Sequence, residues 1–295
     1  MSSIIYKKNK KFYILLCLPA IVFYTLSVLY PLIGVTLPAS FFNWNILEGT
    51  KQFNGIENYI RLFKEEAFRD AMFFTLKLAG GTVLGSNILA FMVAYFLQAK
   101  IFAKGLSRAG FFIPNIINGI MVSFVWSFIF IQGIPILAKK IGFEKLASLS
   151  WFGTPSMAAV SVFIVTIWQG MGFIMIIYVA GMQSVSQELI EAAELDGCNR
   201  LQKVLYVVIP MMMPTITVCL FVSIAGAFKA FDIPFALTSG GPSRSTATVA
   251  LNIYDTAFTS FRTGYASAKS IVLFILVMIV ALIQLRCTRK KEVQL

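Results

Sequence analysis

The sequence predicts an all-α integral membrane protein with six transmembrane helices, and three observations carry that reading. First, 58% of the 295 residues are hydrophobic and the mean hydropathy is +0.80, more apolar surface than a soluble domain can bury. Second, six apolar runs (12–37, 71–97, 110–131, 154–182, 204–231 and 265–285) each exceed the ~20 residues that a helix needs to cross a bilayer. Third, the basic residues are distributed unevenly around those runs. The short segments 1–11, 98–109, 183–203 and 286–295 hold 13 of the 25 Lys and Arg, while the opposite loops are longer and balance theirs with acids. That asymmetry predicts both termini in the cytoplasm.

Composition narrows function as well as fold. Lys and Arg number 25 against 13 acids, a formal charge of +12. In a soluble chain that balance suggests nucleic acid. Here the cations flank apolar runs, so they orient the chain in lipid, and no nucleic-acid partner is expected. There is no histidine, which removes the commonest general base and metal ligand. Cys17, Cys198, Cys219 and Cys287 lack any pairing or metal spacing, so neither a metal nor a bound cofactor is expected.

The elements follow in order. Lys7, Lys8, Lys10 and Lys11 precede a first run that is too long for a signal peptide and lacks a prompt small-residue cleavage site. It reads as a retained span kinked around Pro19 and Pro31. Residues 38–70 form a polar external loop with a turn at Asn54-Gly55 and a short helix over 56–63. Lys100, Lys104 and Arg108 make an all-basic cytoplasmic connector, and Pro114 stands near the start of the third span. Residues 132–151 read as a looser loop. A Gly/Ser/Thr/Pro-rich segment follows the fifth span to about 263, and Arg286, Arg289, Lys290 and Lys291 close the sixth. The chain thus divides into 1–70, a five-span core over 71–286, and a basic tail over 287–295.

Lys77, Lys229 and Lys269 lie in or near apolar runs, where an isolated charge is costly. Lys77 and Lys269 stand near the external ends of their spans, and snorkelling to the interface is expected of both. Lys229 precedes Asp232 by three residues and either pairs with it or faces a cargo. Thr166 and Gln169, beside Gly170 and Gly172, either mark helix-packing notches or line a hydrated path.

The most polar island runs from Ser184 to Pro214. Ser184 and Gln187 have capping-box spacing, with Ser186 as a second N-cap candidate. Glu188 to Leu195 favours helix, and Asp196-Gly197 ends it. Glu188, Glu191 and Glu194 share one broad side, and Ala192 and Ala193 are small enough to let a partner approach the backbone. The segment is either a solvated connector or a helix laid into a groove of another protein.

The spacing within that island adds a resemblance. Glu191-Ala192-Ala193, three residues, Gly197, nine residues and Val207-x-Ile209-Pro210 resembles the EAA loop of binding-protein-dependent ABC importer permeases, with Val for Ile and Ile for Leu at its end. Phe231-Asp232, Thr238-Ser239-Gly240-Gly241-Pro242 and Gly264-Tyr265-Ala266 are similar to the C-terminal signature of the maltose-type, carbohydrate-importing branch. Trp168-Gln169-Gly170 and Asn43-Trp44 fit the same branch. The resemblance spans nearly the whole chain and is closer to the MalF-type than the MalG-type member, without a large external domain.

This resemblance implies the type I ABC importer permease architecture, with a MetI-like core and both termini inside, in the cytoplasmic membrane of a bacterium. It implies that residues 184–203 form a coupling loop docking into an ATPase through Glu188, Glu191, Ala192, Ala193, Asp196 and Gly197. Positions matching the sugar pocket of the family are Thr166, Gly170 and Phe173 in the fourth span and Ser223, Gly226, Ala227 and Ala230 in the fifth. Trp168, Gln169 and Lys229 complete the candidate path with an aromatic face, an amide and a cation. Ala227 and Ala230 stand where the maltose permease has polar sugar-contacting residues, a departure that puts direct carry-over of its maltose specificity in doubt. The implied partners are a second, MalG-like permease, two cytoplasmic ATPase subunits, an extracytoplasmic solute-binding protein and a carbohydrate (an oligosaccharide or sugar derivative), all in a lipid setting.

ATP would be used by the partner, because this chain has no G-x-x-x-x-G-K-[ST] phosphate loop and is not expected to be an enzyme. One alternative keeps the architecture and imports an anion such as a glycerol phosphodiester or an acidic sugar. An ion-driven secondary transporter would need an intramembrane acid, and a membrane enzyme would need a nucleophile–base or metal cluster. Neither is evident.

Overall fold

The computed structural model describes residues 10–98 and 104–290; Lys7, Lys8, Lys100 and Lys291 fall outside them. The helices used below are α1 (Lys10–Tyr24), α2 (Glu57–Lys64), α3 (Glu66–Phe96), α4 (Lys104–Ile116), α5 (Gly119–Phe128), α6 (Pro155–Gln183), α7 (Gln187–Leu195), α8 (Arg200–Lys203), α9 (Met213–Phe228), α10 (Val249–Tyr254) and α11 (Thr263–Arg289). Among the described residues, Leu16–Ala39, Glu66–Phe96, Gly119–Lys140, Pro155–Gln183 and Thr263–Arg289 are each long and apolar enough to cross a membrane. Arg200–Met211 and Met213–Phe228 pass the same test of length and apolar character only when taken together, as a pair bent by 76°. The protein is an all-α, multi-pass membrane protein.

The described residues form two compact units. One comprises the chain up to Lys64 together with Ile253–Leu273. Here α1 passes Pro19 without a break, and widened π-helical turns over Thr25–Thr36 absorb Pro31, whose ring removes a helical donor. The helix then runs on to Ala39. None of the apolar window of this span is buried, so it presents its side chains outward, as lipid contact requires.

The loop after the first span holds a feature absent from the sequence reading: an antiparallel hairpin of β1 (Phe42–Asn45) and β2 (Thr50–Phe53), with Phe42 opposite Phe53. The buried Asn58 of α2 donates to the carbonyls of Ser40 (2.9 Å) and Phe42 (3.0 Å), tying helix to hairpin. Lys269 departs from expectation. It does not snorkel: it is 1% exposed, donates to Thr256 Oγ1 at 3.0 Å and lies 4.5 Å from the centre of the Tyr265 ring. Hydroxyl and π partners inside the unit replace the water it would otherwise seek. Lys77, by contrast, is exposed and lies over the Phe73 ring at 4.1 Å.

The second unit, Glu65–Asn252 with residues from Phe274 on, carries the functional features. Helices α3 and α6 pack along their lengths, α9 packs on both, and α4 lies along α6. One apolar cluster, around Ala90, Met175, Tyr178, Met212 and Cys219, fills one region. A second joins Leu78, Phe130, Val162 and Val165 to Trp126, Trp151 and Trp168. Gly172 explains how α4 approaches α6: a Cβ there would come within 2.0 Å of the Phe111 carbonyl oxygen, so only glycine fits the crossing.

Two spans differ from their predicted form. The third does not run continuously over 110–131. Its first part is α4, ending at Ile116; Asn118 then accepts from the Ile120 N–H at 2.8 Å and starts α5 as a new helix. From there helical turns continue to Lys140, through residues expected to be loop. The fifth span bends by 76° at Met212, between Pro210 and Pro214. Each proline removes one backbone donor, and together they break the hydrogen-bond ladder at one point.

Candidate functional site

Two features of the second unit gather the polar residues: a cavity within the helices and an exposed helix at one end of α6. The cavity measures about 340 Å³. Helix α3 contributes Thr82 and Ser86, α4 contributes Asn115, α6 contributes Thr166, Gln169, Gly170, Phe173 and Ile174, and α9 contributes Val222, Ser223, Gly226 and Ala227. Lys229 to Ile233 close one side. Of the sequence-derived path residues, Thr166, Gln169, Gly170, Phe173, Ser223, Gly226, Ala227, Lys229 and Ala230 all line it. Spacings of three and four residues along α6 put 166, 169, 170 and 173 on one face. Trp168 is turned away: its ring packs edge-on against Trp126 with centroids 5.4 Å apart, inside the apolar cluster.

The chemistry of the lining is mixed. Phe173 is 40% exposed and offers a ring face, whereas Thr82 Oγ1 and Ser86 Oγ are buried with no hydrogen-bond partner. Buried hydroxyls left unmatched cost free energy, so a ligand supplying hydroxyls or amides is favoured there. Gln169 is held by its Nε2 donating to the Ile117 carbonyl at 2.9 Å, and Thr166 donates to the Val162 carbonyl at 2.7 Å.

Below Ser223 lies a buried polar relay that sequence reasoning missed. Tyr178 donates to Asn87 Oδ1 at 2.8 Å, while Asn87 Nδ2 donates to Ser223 Oγ at 2.9 Å and to the Val83 carbonyl at 2.8 Å. The relay joins α3, α6 and α9 directly at the cavity wall.

Lys229 and Asp232 do not pair with each other. Pairing was one of the two expectations for Lys229, but the helix ends at Lys229, so the three-residue spacing no longer places both on one helical face. Asp232 lies instead against Gly119, where a Cβ would meet its own at 2.8 Å. This is the N-terminus of α5, whose dipole favours a negative charge. Both side chains are exposed and face the cavity. The segment behind them is fixed by the Gly/Ser/Thr-rich loop. Thr248 Oγ1 donates to the Ala230 carbonyl (2.8 Å), the Val249 N–H donates to Thr75 Oγ1 (2.9 Å), and the Thr238 and Thr246 hydroxyls hydrogen-bond at 2.7 Å.

The exposed helix is α7. Ser186, not Ser184, is its N-cap, accepting from the Glu188 N–H at 3.2 Å. Ser184 instead closes α6 by donating to the Gly181 carbonyl at 2.7 Å, so the Ser184–Gln187 capping box does not form. A capping box is present at Asn199–Gln202, opening α8. Gly197 has φ +81°, and the Gly197 and Cys198 N–H groups bond to the Glu194 and Ala193 carbonyls at 3.0 and 2.9 Å. That is the double bond pattern of a glycine-terminated helix. Glu188, Glu191, Ala192, Glu194 and Asp196 are exposed, and Ala193 is buried. Leu195 is 91% exposed, an apolar side chain presented outward next to acids. Lys203 forms an ion pair with Glu194 and so ties the end of α7 to α8, at the foot of the bent fifth span.

A cavity walled by α6 and α9, with a polar helix suspended between those same two helices, is the arrangement of a membrane permease. The chain belongs to the family described as binding-protein-dependent transport system inner membrane component, which matches residues 12–292. It is a transport component and not an enzyme, and family membership decides against the ion-driven and enzymatic alternatives.

Relatives include the probable starch degradation products transport system permease protein AmyD of Thermoanaerobacterium thermosulfurigenes, 33% identical over 98% of this chain and 97% of that protein. The multiple sugar-binding transport system permease protein MsmF of Streptococcus mutans is 36% identical over 86% and 87%. In fold, the chain superposes with a TM-score of 0.80 on a chain of a bacterial ABC transporter involved in the import of the acidic polysaccharide alginate, at 21% identity and 97% coverage of both chains. The fold is therefore that of a type I ABC importer permease.

Proposed function

We propose that this chain is a permease subunit of an ATP-driven importer for a carbohydrate, an oligosaccharide or sugar derivative. The observation that carries the proposal is the shared use of α6 and α9: they line the cavity, and the connection between them is α7. A helix moved by a partner at α7 acts directly on two walls of the cavity. The sugar-transport names of the relatives support the cargo class, as does the lining of hydroxyls, amides and one exposed ring face.

In this reading a second, MalG-like permease completes the path, and an extracytoplasmic solute-binding protein delivers the cargo. Two cytoplasmic ATPases bind and hydrolyse ATP. Glu188, Glu191, Ala192 and Asp196 face the ATPase, and Gly197 sets the turn after the helix. ATP-driven closure of the ATPases tilts α7, and alternating access follows from rocking of α6 and α9. The orientation inferred from basic residues puts α7 in the cytoplasm, where the ATP is.

A second reading of the cargo rests on Lys229, which faces the cavity without an ion pair to Asp232. An acidic sugar or a phosphodiester would then be drawn to it. Vesicle uptake separates the two. Phe173→Ala should lower oligosaccharide uptake about tenfold by removing a stacking face, while Lys229→Met leaves a neutral cargo unaffected. If Lys229→Met abolishes uptake and Phe173→Ala does not, the anionic cargo replaces the neutral one.

A further inference from the structure

A second cavity, outside the proposed cargo path, lies between α4 and α6. It measures about 300 Å³ and is lined by Arg108, Ala109 and Phe112 of α4 and by Ile176, Val179, Ala180 and Gln183 of α6. It sits on the Arg108–Gln183 side of the tight Gly172–Phe111 crossing. Its walls are apolar along most of their length and no carboxylate lines them. At one end stands the Arg108 guanidinium, whose Nε is buried with no hydrogen-bond partner. Arg108 as a whole is half-buried, and its Nε has no acceptor among the described residues, which leaves the guanidinium open to an anion.

We propose that this cavity binds an anionic phospholipid, its phosphodiester on Arg108 and the start of one acyl chain between Phe112, Ile176 and Val179. Charge complementarity and position argue for that occupant. Arg108 and Gln183 border the connectors assigned to the cytoplasmic side, where 98–109 carries Lys100, Lys104 and Arg108 and no acid. Basic pockets between helices on that side recognise lipid headgroups. Apolar walls suit an acyl chain, and a fully hydrated ion has no use for them.

The test uses the assembled importer in nanodiscs of phosphatidylcholine with or without phosphatidylglycerol, with retained lipid counted by native mass spectrometry. Phosphatidylglycerol should be retained over phosphatidylcholine, and Arg108→Gln should reduce that retention about fivefold, the worth of one basic residue at a membrane surface. Ala180→Phe, which fills the cavity and keeps the arginine, should reduce it as well. Equal retention of both lipids, or retention unchanged in both variants, overturns the proposal. So does displacement of the lipid by millimolar inorganic phosphate, which would make this a simple anion site. Dissociation of the permease pair by Arg108→Gln, with no lipid selectivity, would assign the cavity to a subunit contact instead.

Discussion

At the scale of single residues, the relay from Tyr178 through Asn87 to Ser223 ties three helices together at the cavity wall. All three side chains are buried, and every polar atom of Asn87 named above has a partner. Tyr178→Phe removes one inter-helix hydrogen bond and should lower the stability of the purified protein by about 1 kcal/mol. Asn87→Leu removes two inter-helix bonds and one within α3 and should cost more, and thermal denaturation in detergent compares the two. Gly172 is more restrictive still. Gly172→Ala places a methyl against the Phe111 carbonyl and should destabilise by roughly 1–3 kcal/mol, with α4 displaced from α6.

None of the relay was legible in the sequence. Asn87 lies 91 residues from Tyr178 and 136 from Ser223, and no local pattern reports such pairs. The cavity face of α6 was legible through the family resemblance, which pointed to 166, 170 and 173, and helical spacing explains why these three share one face with 169. Trp168 was assigned to the path on its aromatic character, yet a neighbouring helical face decides where a ring points, and here it points to Trp126.

At the scale of elements, the helices α7 and α8 behave as one strut. Gly197 permits the turn, the Asn199–Gln202 box starts α8, and the Glu194–Lys203 ion pair closes the triangle. Glu194→Lys should weaken ATPase stimulation by opposing Lys203, and the swap Glu194→Lys with Lys203→Glu should restore most of it. Failure of the swap to restore activity would mean that Glu194 acts on the partner and not on Lys203. An exposed pair of this kind is worth little in stability, so melting temperature should barely move in either variant.

The α7 motif was readable because its glycine, acids and alanines are local. The bend at Met212 was not, although Pro210 and Pro214 were both in view. Two prolines four apart are compatible with a gentle kink or a sharp break, and packing around Met212, itself fully buried, selects the 76° form. The β1–β2 hairpin was likewise hidden, since neither strand shows strong alternation.

At the scale of the whole molecule, the proposed docking of α7 on an ATPase would make this chain one part of a motor. Six apolar runs and the basic asymmetry pointed to a membrane protein, the resemblance carried by the island at 184–203 pointed to a permease, and the family match over residues 12–292 agrees. Sequence could not say that α4 and α5 are separate helices, because Asn118 resembles any polar residue until its side-chain Oδ1 is seen accepting from the Ile120 N–H.

The central claim is that α7 engages a cytoplasmic ATPase. Affinity purification of the tagged chain from membranes, beside Glu191→Lys and Gly197→Asp, tests it most directly. An ATPase should co-purify with the parent protein and be lost from both variants, with each variant still inserted in the membrane. An ATPase retained equally by all three would contradict it.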